Sequence, residues 1–367
     1  MGRTTTTDRG DRRIMTMEYL RELSEAIGIS GDEGAVRKLV LRAIADHATD
    51  IHIDPMGTIT ARKAGTDGAN RPRVMLAAHM DEVGFMVTGW DSDGLLKFTA
   101  VGGIDDRILP GLRVKVGPNQ LPGVILWAPI HKNRDQAVVK MSALRIDIGA
   151  GKDEVNGKVK RGDRIAFDSS YAEVGQHIIR GKALDDRAGC SVLIDVLRGG
   201  PYPCDVLAAF TVQEEIGLRG AQVAVKTLQP DAALVLECTT AHDLPNPLAD
   251  ADRDDPRDIN PTTRLGMGPA LTFMDRSMIT APQMLALLKR AAETRGIAYG
   301  FKTQLGGGTD GGAIHKANTG VPTGAISIPA RYIHSPHAYL HRADYDGAVA
   351  LAQAALHDIT WEGIRPL

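Results

Sequence analysis

Five short stretches of the chain hold side chains that can bind a cation or move a proton. They are His79-Met80-Asp81-Glu82, Asp185-Asp186, Gln213-Glu214-Glu215, Glu237 and Tyr332-Ile333-His334. Imidazole and carboxylate without thiolate suit Zn²⁺, Co²⁺ or Mn²⁺ in a hydrolytic site. The three cysteines, Cys190, Cys204 and Cys238, form no CxxC pair, so neither a thiolate zinc site nor a disulfide framework is indicated. Taken singly, each stretch has an ordinary reading. A His-x-Asp is usually a hydrogen-bonded or surface pair, adjacent glutamates a solvated charge pair, and Asp-Asp before a helix an N-cap. Their common placement argues otherwise, because four of the five follow a predicted strand. In open α/β sheets ligands bind beyond the carboxyl ends of the strands.

The elements that must position them follow from periodicity. Leu20, Leu23 and Ile27, then Val36, Leu39, Val40 and Ile44, repeat at helical spacing, with Ser30-Gly31-Asp32 expected to stop the first helix and cap the second. Val74–Ala78, Val206–Val212, Ala232–Leu236 and Gly324–Ile328 read as buried strands, and Asp186–Arg198 and Tyr345–His357 as helices. Thr280 is expected to cap a helix that has Pro282 in its first turn and Gly296 just past its end. From about Met86 to Gln176 helical periodicity gives way to short β-type runs punctuated by Gly and Pro. The expected architecture is α/β, a mostly parallel sheet flanked by helices over 1–85 and 177–367, with a small all-β insertion at 86–176. Residues 1–14 read as a frayed tail.

Composition narrows the function classes. The 367 residues carry 43 Lys+Arg against 45 Asp+Glu, a net charge of −2, which argues against nucleic acid or an anionic membrane as the main partner. No apolar run approaches the roughly 18 residues of a membrane-spanning helix. The N-terminal MGRTTTTDRGDRRI lacks an apolar h-region, so a cytoplasmic protein is expected.

The ordered motifs resemble the tetrahedral (TET) aminopeptidases, co-catalytic metallopeptidases that include glutamyl aminopeptidases and proteins once labelled cellulase M. The matching stretches are AAHMDEVGFMV (77–87), RIDIGA (145–150), GKALDDRAGC (181–190), TVQEEIGLRGA (211–221), LVLECTTAHDLP (234–245), GGGTDGGAIH (306–315) and YIHSPH (332–337). The resemblance runs from about Met17 onward. It implies two divalent metal ions, zinc or alternatively cobalt or manganese. His79 and Glu237 would be terminal ligands on one, Glu215 and His334 on the other, and Asp185 the bridge. It further implies Glu214 as general base and Asp81 as the group that orients the His79 ring. Two such ions roughly 3.5–4 Å apart depress the pKa of a shared water. The implied substrates are short peptides with a free N-terminus. The β insertion would be the dimerisation domain that helps build a dodecamer of dimers. Gly306–Gly308 is no phosphate cradle, lacking the Lys-Ser/Thr of a P-loop. Beside the metals, Gly308, Thr309 and Asp310 are expected to meet substrate.

Two features depart from the family pattern. Glu237 stands where many relatives have Asp, and an acidic, Pro-bearing stretch at 246–262 is longer than expected. The latter reads as a solvated loop, with a substrate-facing role as the alternative. His337 and His341 are expected to be structural, and the cysteines inert core residues. Three other functions compete with this one: a co-catalytic carboxypeptidase or deacylase, an endoglucanase, and a non-catalytic assembly protein on the same scaffold. Endoglucanase chemistry needs two suitably spaced carboxyls. Glu214 and Glu215, as neighbours in sequence, are expected to point apart, and aromatic residues are only 4% of the chain.

Overall fold

The computed structural model describes residues 17–126, 138–244, 263–303 and 306–366. The acidic stretch at 246–262 and the tail at 1–14 lie outside the described residues. Among the described residues seventeen strands form two sheets. The larger uses β1 (Thr49–Ile53), β2 (Ile59–Lys63), β3 (Arg73–His79), β10 (Ala172–Val174), β11 (Ile178–Gly181), β12 (Asp205–Thr211), β13 (Ala232–Thr240), β14 (Ala270–Thr272), β15 (Gly300–Lys302), β16 (Thr323–Arg331) and β17 (Ala338–His341). The smaller is a closed barrel of β4 (Gly84–Trp90), β5 (Leu96–Val101), β6 (Arg113–Val116), β7 (Leu121–Ile125), β8 (Ile146–Asp147) and β9 (Arg164–Phe167).

At the centre of the large sheet β12, β3, β13 and β16 lie side by side and parallel. Antiparallel strands extend this block on both sides: β2 pairs with β12, and β17 with β16. The central strands are continuous apolar runs because both of their faces are covered. Val74, Leu76 and Ala78 of β3 point into one core, while Met75 and Ala77 point into another. The same alternation splits Val206, Ala208 and Phe210 from Leu207 and Ala209 on β12. This is the two-residue period of a strand with no polar face.

The first core holds α1 (Leu20–Glu25), α2 (Gly34–Ile44), α4 (Leu184–Arg198), α6 (Pro282–Arg295) and α8 (Arg342–Asp358). The second face is covered by α5 (Arg219–Leu228) and α7 (Gly311–Ile314). The short α9 (Trp361–Ile364) adds Ile364 to the first core, and α3 (Lys152–Lys158) belongs to the barrel through the buried Val155. Between Leu184 and Leu197 only Asp185 escapes full burial, so α4 is apolar on nearly every side and sits deepest. Its one buried acid beyond the first turn, Asp195, accepts hydrogen bonds from the Tyr345 hydroxyl and the Met17 amide.

The barrel has its own core. Phe85 meets Phe98 and Phe167 edge to face at 5.2 and 5.5 Å, an arrangement favoured by ring quadrupoles. The barrel strands run from Gly84 to Phe167, and Ala172–Val174 pairs with Ile178–Gly181 in the large sheet.

Two capping expectations are corrected. The residue preceding α6 is Ala281, because the Thr280 hydroxyl instead donates to the Thr272 carbonyl, pinning the incoming loop to β14. The residue preceding α2 is Glu33, not one of Ser30-Gly31-Asp32; its carboxylate accepts from the Gly31 amide. No helix among the described residues is long and apolar enough to cross a membrane.

Candidate metal centre

The carboxyl ends of the parallel strands converge on one cavity of about 1100 Å³. His79 closes β3, Glu214 and Glu215 follow β12, and Glu237 lies within β13. His334 comes from the loop between β16 and β17, and Asp185 from the first turn of α4. All six line that cavity. Glu214 and Glu215 therefore do not point apart as expected; the turn after β12 turns both inward.

Asp185 stands in the middle. Its Oδ1 lies 3.3 Å from His79 Nε2, which is also 3.5 Å from Glu237 Oε1. Its Oδ2 lies 3.5 Å from His334 Nε2, which is 3.3 Å from Glu215 Oε1. One carboxylate thus faces two His–Glu pairs, one with each oxygen. Oδ1 is buried and has no hydrogen-bond partner. Donor atoms of His79, Asp185 and Glu215 all lie within 4.8 Å of one another, as do those of His79, Asp186 and Glu237. Asp186 is otherwise engaged, accepting from the Gly189 amide within α4 and from the His79 amide at the end of β3. It ties the strand end to the helix start.

Both imidazoles are fixed from behind by carbonyls. His79 Nδ1 is 3.1 Å from the Asp81 carbonyl oxygen, and His334 Nδ1 is 2.8 Å from that of Gly103, a residue just beyond barrel strand β5. Donation from Nδ1 leaves Nε2 with a lone pair turned to the carboxylates, the usual arrangement of a metal-binding histidine. Asp81 does more than orient a ring. Its buried carboxylate accepts from the Ser30 hydroxyl at 2.6 Å and from the amides of Glu214 and Glu215 at 2.9 and 3.2 Å. It thereby fixes the turn that carries both glutamates.

The electrostatics call for a cation. Burial drives Glu237 up to about 8, with the negative charge of Asp185 adding to it and His79 opposing. Glu215 is pushed up to about 7 by burial and by Asp185 and Asp81, with His334 and His79 opposing. Burial also holds Glu214 well above the usual carboxylate range, with Glu237, Asp310 and Glu215 reinforcing it. Burial acts to lower both histidines, yet the surrounding carboxylates hold His334 at about 9 and His79 well above its ordinary value. Clustered acids share a site at neutral pH when a positive charge balances them. The donor types, the partnerless Asp185 oxygen and the two oriented imidazoles all fit divalent metal ions.

Gly306, Gly307 and Gly308 line the cavity. Thr309 and Asp310 sit beneath it, both about 1% exposed. Asp310 accepts from the Thr211 hydroxyl at 2.5 Å, and burial raises it to about 6. His341 is structural, its Nδ1 accepting from the Ala343 amide at the start of α8. His337 lines the cavity wall and lies 3.5 Å from the Ser169 hydroxyl.

Sequence reasoning missed a second buried network below the site. Lys182 donates to Glu82 at 2.7 and 2.9 Å, and Glu82 also receives Arg187 at 3.3 Å and the Gly28 amide at 3.0 Å. Burial depresses Lys182 to about 8 against the pull of Glu82. The signal lay in the fact that HMDE and GKALDDR each carry more charge than a buried turn tolerates unpaired.

The family model for M42 glutamyl aminopeptidases matches residues 57–351. A putative aminopeptidase of Acetivibrio thermocellus is 35% identical over 341 residues, which cover 92% of this chain and 98% of that protein. The solved structure of aminopeptidase APDkam598 from the archaeon Desulfurococcus kamchatkensis matches with a TM-score of 0.87 at 35% identity, covering 95% and 96% of the two chains. The Pyrococcus horikoshii TET1 peptidase, which can assemble into a tetrahedron or a large octahedral shell, matches with a TM-score of 0.81 at 32% identity over 93% of this chain and 99% of that one.

Proposed function

This chain belongs to the M42 aminopeptidase family, and from that premise we propose that it removes N-terminal residues from short peptides at a pair of divalent metal ions. His79, Glu237, Glu215 and His334 would be the terminal ligands and Asp185 the bridge, with zinc, cobalt or manganese as the ion. The observation that carries the reading is the central carboxylate of Asp185, with one His–Glu pair against each of its oxygens. Two ligand sets sharing one carboxylate are what a two-metal hydrolase requires.

When bound, such ions polarise the scissile carbonyl and make water nucleophilic near neutral pH. The remaining work falls to the chain itself. Glu214 lies in the same cavity but stands outside both His–Glu pairs, so its carboxylate is available to take a proton from the attacking water and return it to the leaving nitrogen. Asp81 holds the Glu214 amide, so the base keeps its position through the cycle. The acid-rich floor favours a free N-terminal ammonium, which supports removal of single residues from that end. Gly306–Gly308 allows the substrate backbone to come close, with Thr309 and Asp310 acting from below.

The barrel, whose strands run from Gly84 to Phe167 and so largely overlap the insertion read from the sequence as 86–176, is proposed as the dimerisation module. The self-association of the Pyrococcus horikoshii relative supports a tetrahedral dodecamer here. Three unpaired, buried cysteines suit the reducing cytoplasm. The function is tested with unblocked and N-acetylated aminoacyl anilides after metal stripping. Zinc, cobalt or manganese should restore cleavage of the unblocked substrate only. Full activity without metal, or cleavage of the acetylated substrate, would overturn the proposal.

A further inference from the structure

Glu214 and Glu215 line the metal cavity, whereas the residues on either side of them, Gln213 and Ile216, line a second crevice of about 480 Å³. The turn after β12 is therefore a wall shared by both. The barrel supplies Met86, Val101 and Arg164 to this crevice, and the α/β body supplies Ser30, Gln213 and Arg219. Its volume suits a small organic molecule.

The cationic side chains here have no counter-charge. Arg164 donates from Nε to the Ser30 carbonyl at 3.3 Å and from Nη1 to the Gly162 carbonyl at 2.8 Å, which fixes its direction without neutralising it. Arg219 donates to Gln213 Oε1 at 3.2 Å. Among the described residues neither guanidinium has a carboxylate partner. A Cβ built on Gly31, which also lines the crevice, would stand 3.1 Å from Arg164 Nη2 and 3.9 Å from Gln213 Nε2. Two donors thus flank bare glycine backbone, held at a φ of +82°. Arg219 opens α5, whose first turn holds no acid, so its charge adds to the positive end of the helix dipole. Two acids behind this wall are already engaged. Buried Glu33 accepts from the amides of Gly31 and Gln213, and Asp81 accepts the Ser30 hydroxyl. Met86, Val101 and Ile216 add an apolar side.

We propose that this crevice is an effector site for small aliphatic carboxylates. Arg164, Gln213 and Arg219 hold the carboxylate, which a planar guanidinium matches in two-pronged geometry, and the chain rests on the apolar side. An occupant ties Gln213 and Arg219 to the barrel through Arg164, and so steadies the turn that presents Glu214 and Glu215. The effector role rests on the metal-centre reading; binding itself does not. By reciprocity, ligand and metal tighten one another by the same factor.

The probes are 4-methylpentanoate, its neutral isostere 4-methylpentanamide, leucine and inorganic phosphate, followed by saturation-transfer NMR on the full chain with and without zinc. 4-Methylpentanoate should bind metal-free protein in about the millimolar range, as its roughly eight non-hydrogen atoms allow. Arg164→Met and Arg219→Met should each weaken binding about 10-fold or more, and the amide should bind wild type as poorly. Arg219 is exposed, so its variant keeps the test decisive even if Arg164→Met unfolds. Leucine against 4-methylpentanoate tells whether an amino acid or a simple acid supplies the carboxylate. Zinc affinity, measured against a chelator, should rise about 5-fold or more with saturating 4-methylpentanoate in wild type and not in Arg219→Met. Binding that survives Arg219→Met, that requires zinc, or that equal phosphate abolishes would overturn the carboxylate site. Zinc affinity that is unchanged, or raised equally in Arg219→Met, would overturn the effector role. If the protein binds no zinc, the metal-centre reading fails and the effector role with it, while binding to metal-free protein still decides the site.

Discussion

Asp81→Asn tests how much of the centre depends on one carboxylate that touches no substrate. The wild-type side chain is fully buried and accepts from Glu214 N on Oδ1, and from Ser30 Oγ and Glu215 N on Oδ2. Asparagine keeps one acceptor oxygen. With that oxygen toward Glu214, the new amide group faces Ser30, whose hydroxyl can turn and accept, and the Glu215 amide, which cannot. One buried N–H is left without a partner, at about 1–3 kcal/mol, and the surviving bonds lose their charge assistance, so the total loss is about 2–4 kcal/mol. The loss falls on the turn that carries Glu215, so metal affinity should drop about 10–100-fold, the scale seen when a group supporting a ligand is removed. Urea denaturation of metal-free protein measures the first quantity, and zinc competition against a chelator the second. Unchanged zinc affinity with an unchanged unfolding midpoint would refute the reasoning. It would mean that the turn after β12 holds its shape without Asp81.

Other perturbations have equally definite outcomes. Asp344 is buried and accepts from the amides of Gly266 and Gly268; burial raises it to about 6. Its folded pKa exceeds the unfolded value, so its contribution is complete below about pH 4 and is lost as the pH rises through 6. Asp344→Asn, neutral throughout, should gain on wild type by ~3 kcal/mol between those limits, and a pH-independent difference in denaturant midpoints would contradict this. Gly220 lets α5 sit against the strand end, since an added Cβ would lie 2.6 Å from both the amide and the carbonyl oxygen of Val212. Gly220→Ala should cost about 1–3 kcal/mol by overpacking, seen as a lower thermal midpoint, whereas an unchanged midpoint would mean that the helix shifts freely.

What was legible in the sequence was whatever depends on chain-local pattern. His79, Glu215 and Glu237 could be found because buried parallel strands are unbroken apolar runs, and a charged residue at the end of such a run stands out. Asp185 was visible as an acid at a helix start, but its central position depends on α4 crossing beneath strands far from it in sequence. The support from Ser30 to Asp81, from Gly103 to His334 and from Lys182 to Glu82 joins residues 51, 231 and 100 positions apart. No periodicity encodes such pairs. Thr280 has the composition of a cap and donates elsewhere, because β14 offers its hydroxyl a carbonyl within the same loop. Lys302 shows the same limit from the other side, since a lysine at the end of a short strand reads as solvated until β13, β16 and β14 place it in the cavity wall.

The central claim is that adjacent glutamates divide the labour, Glu215 holding metal and Glu214 moving the proton. Metal content and turnover of Glu214→Gln and Glu215→Gln, measured side by side, test it most directly. Glu214→Gln should keep its metal and a nearly unchanged KM while kcat falls by about 10²–10⁴-fold. Glu215→Gln should instead lose metal, because a neutral amide oxygen is a poorer donor than carboxylate. Loss of metal from Glu214→Gln with retention in Glu215→Gln would contradict the assignment of roles, and full turnover in both would contradict the site itself.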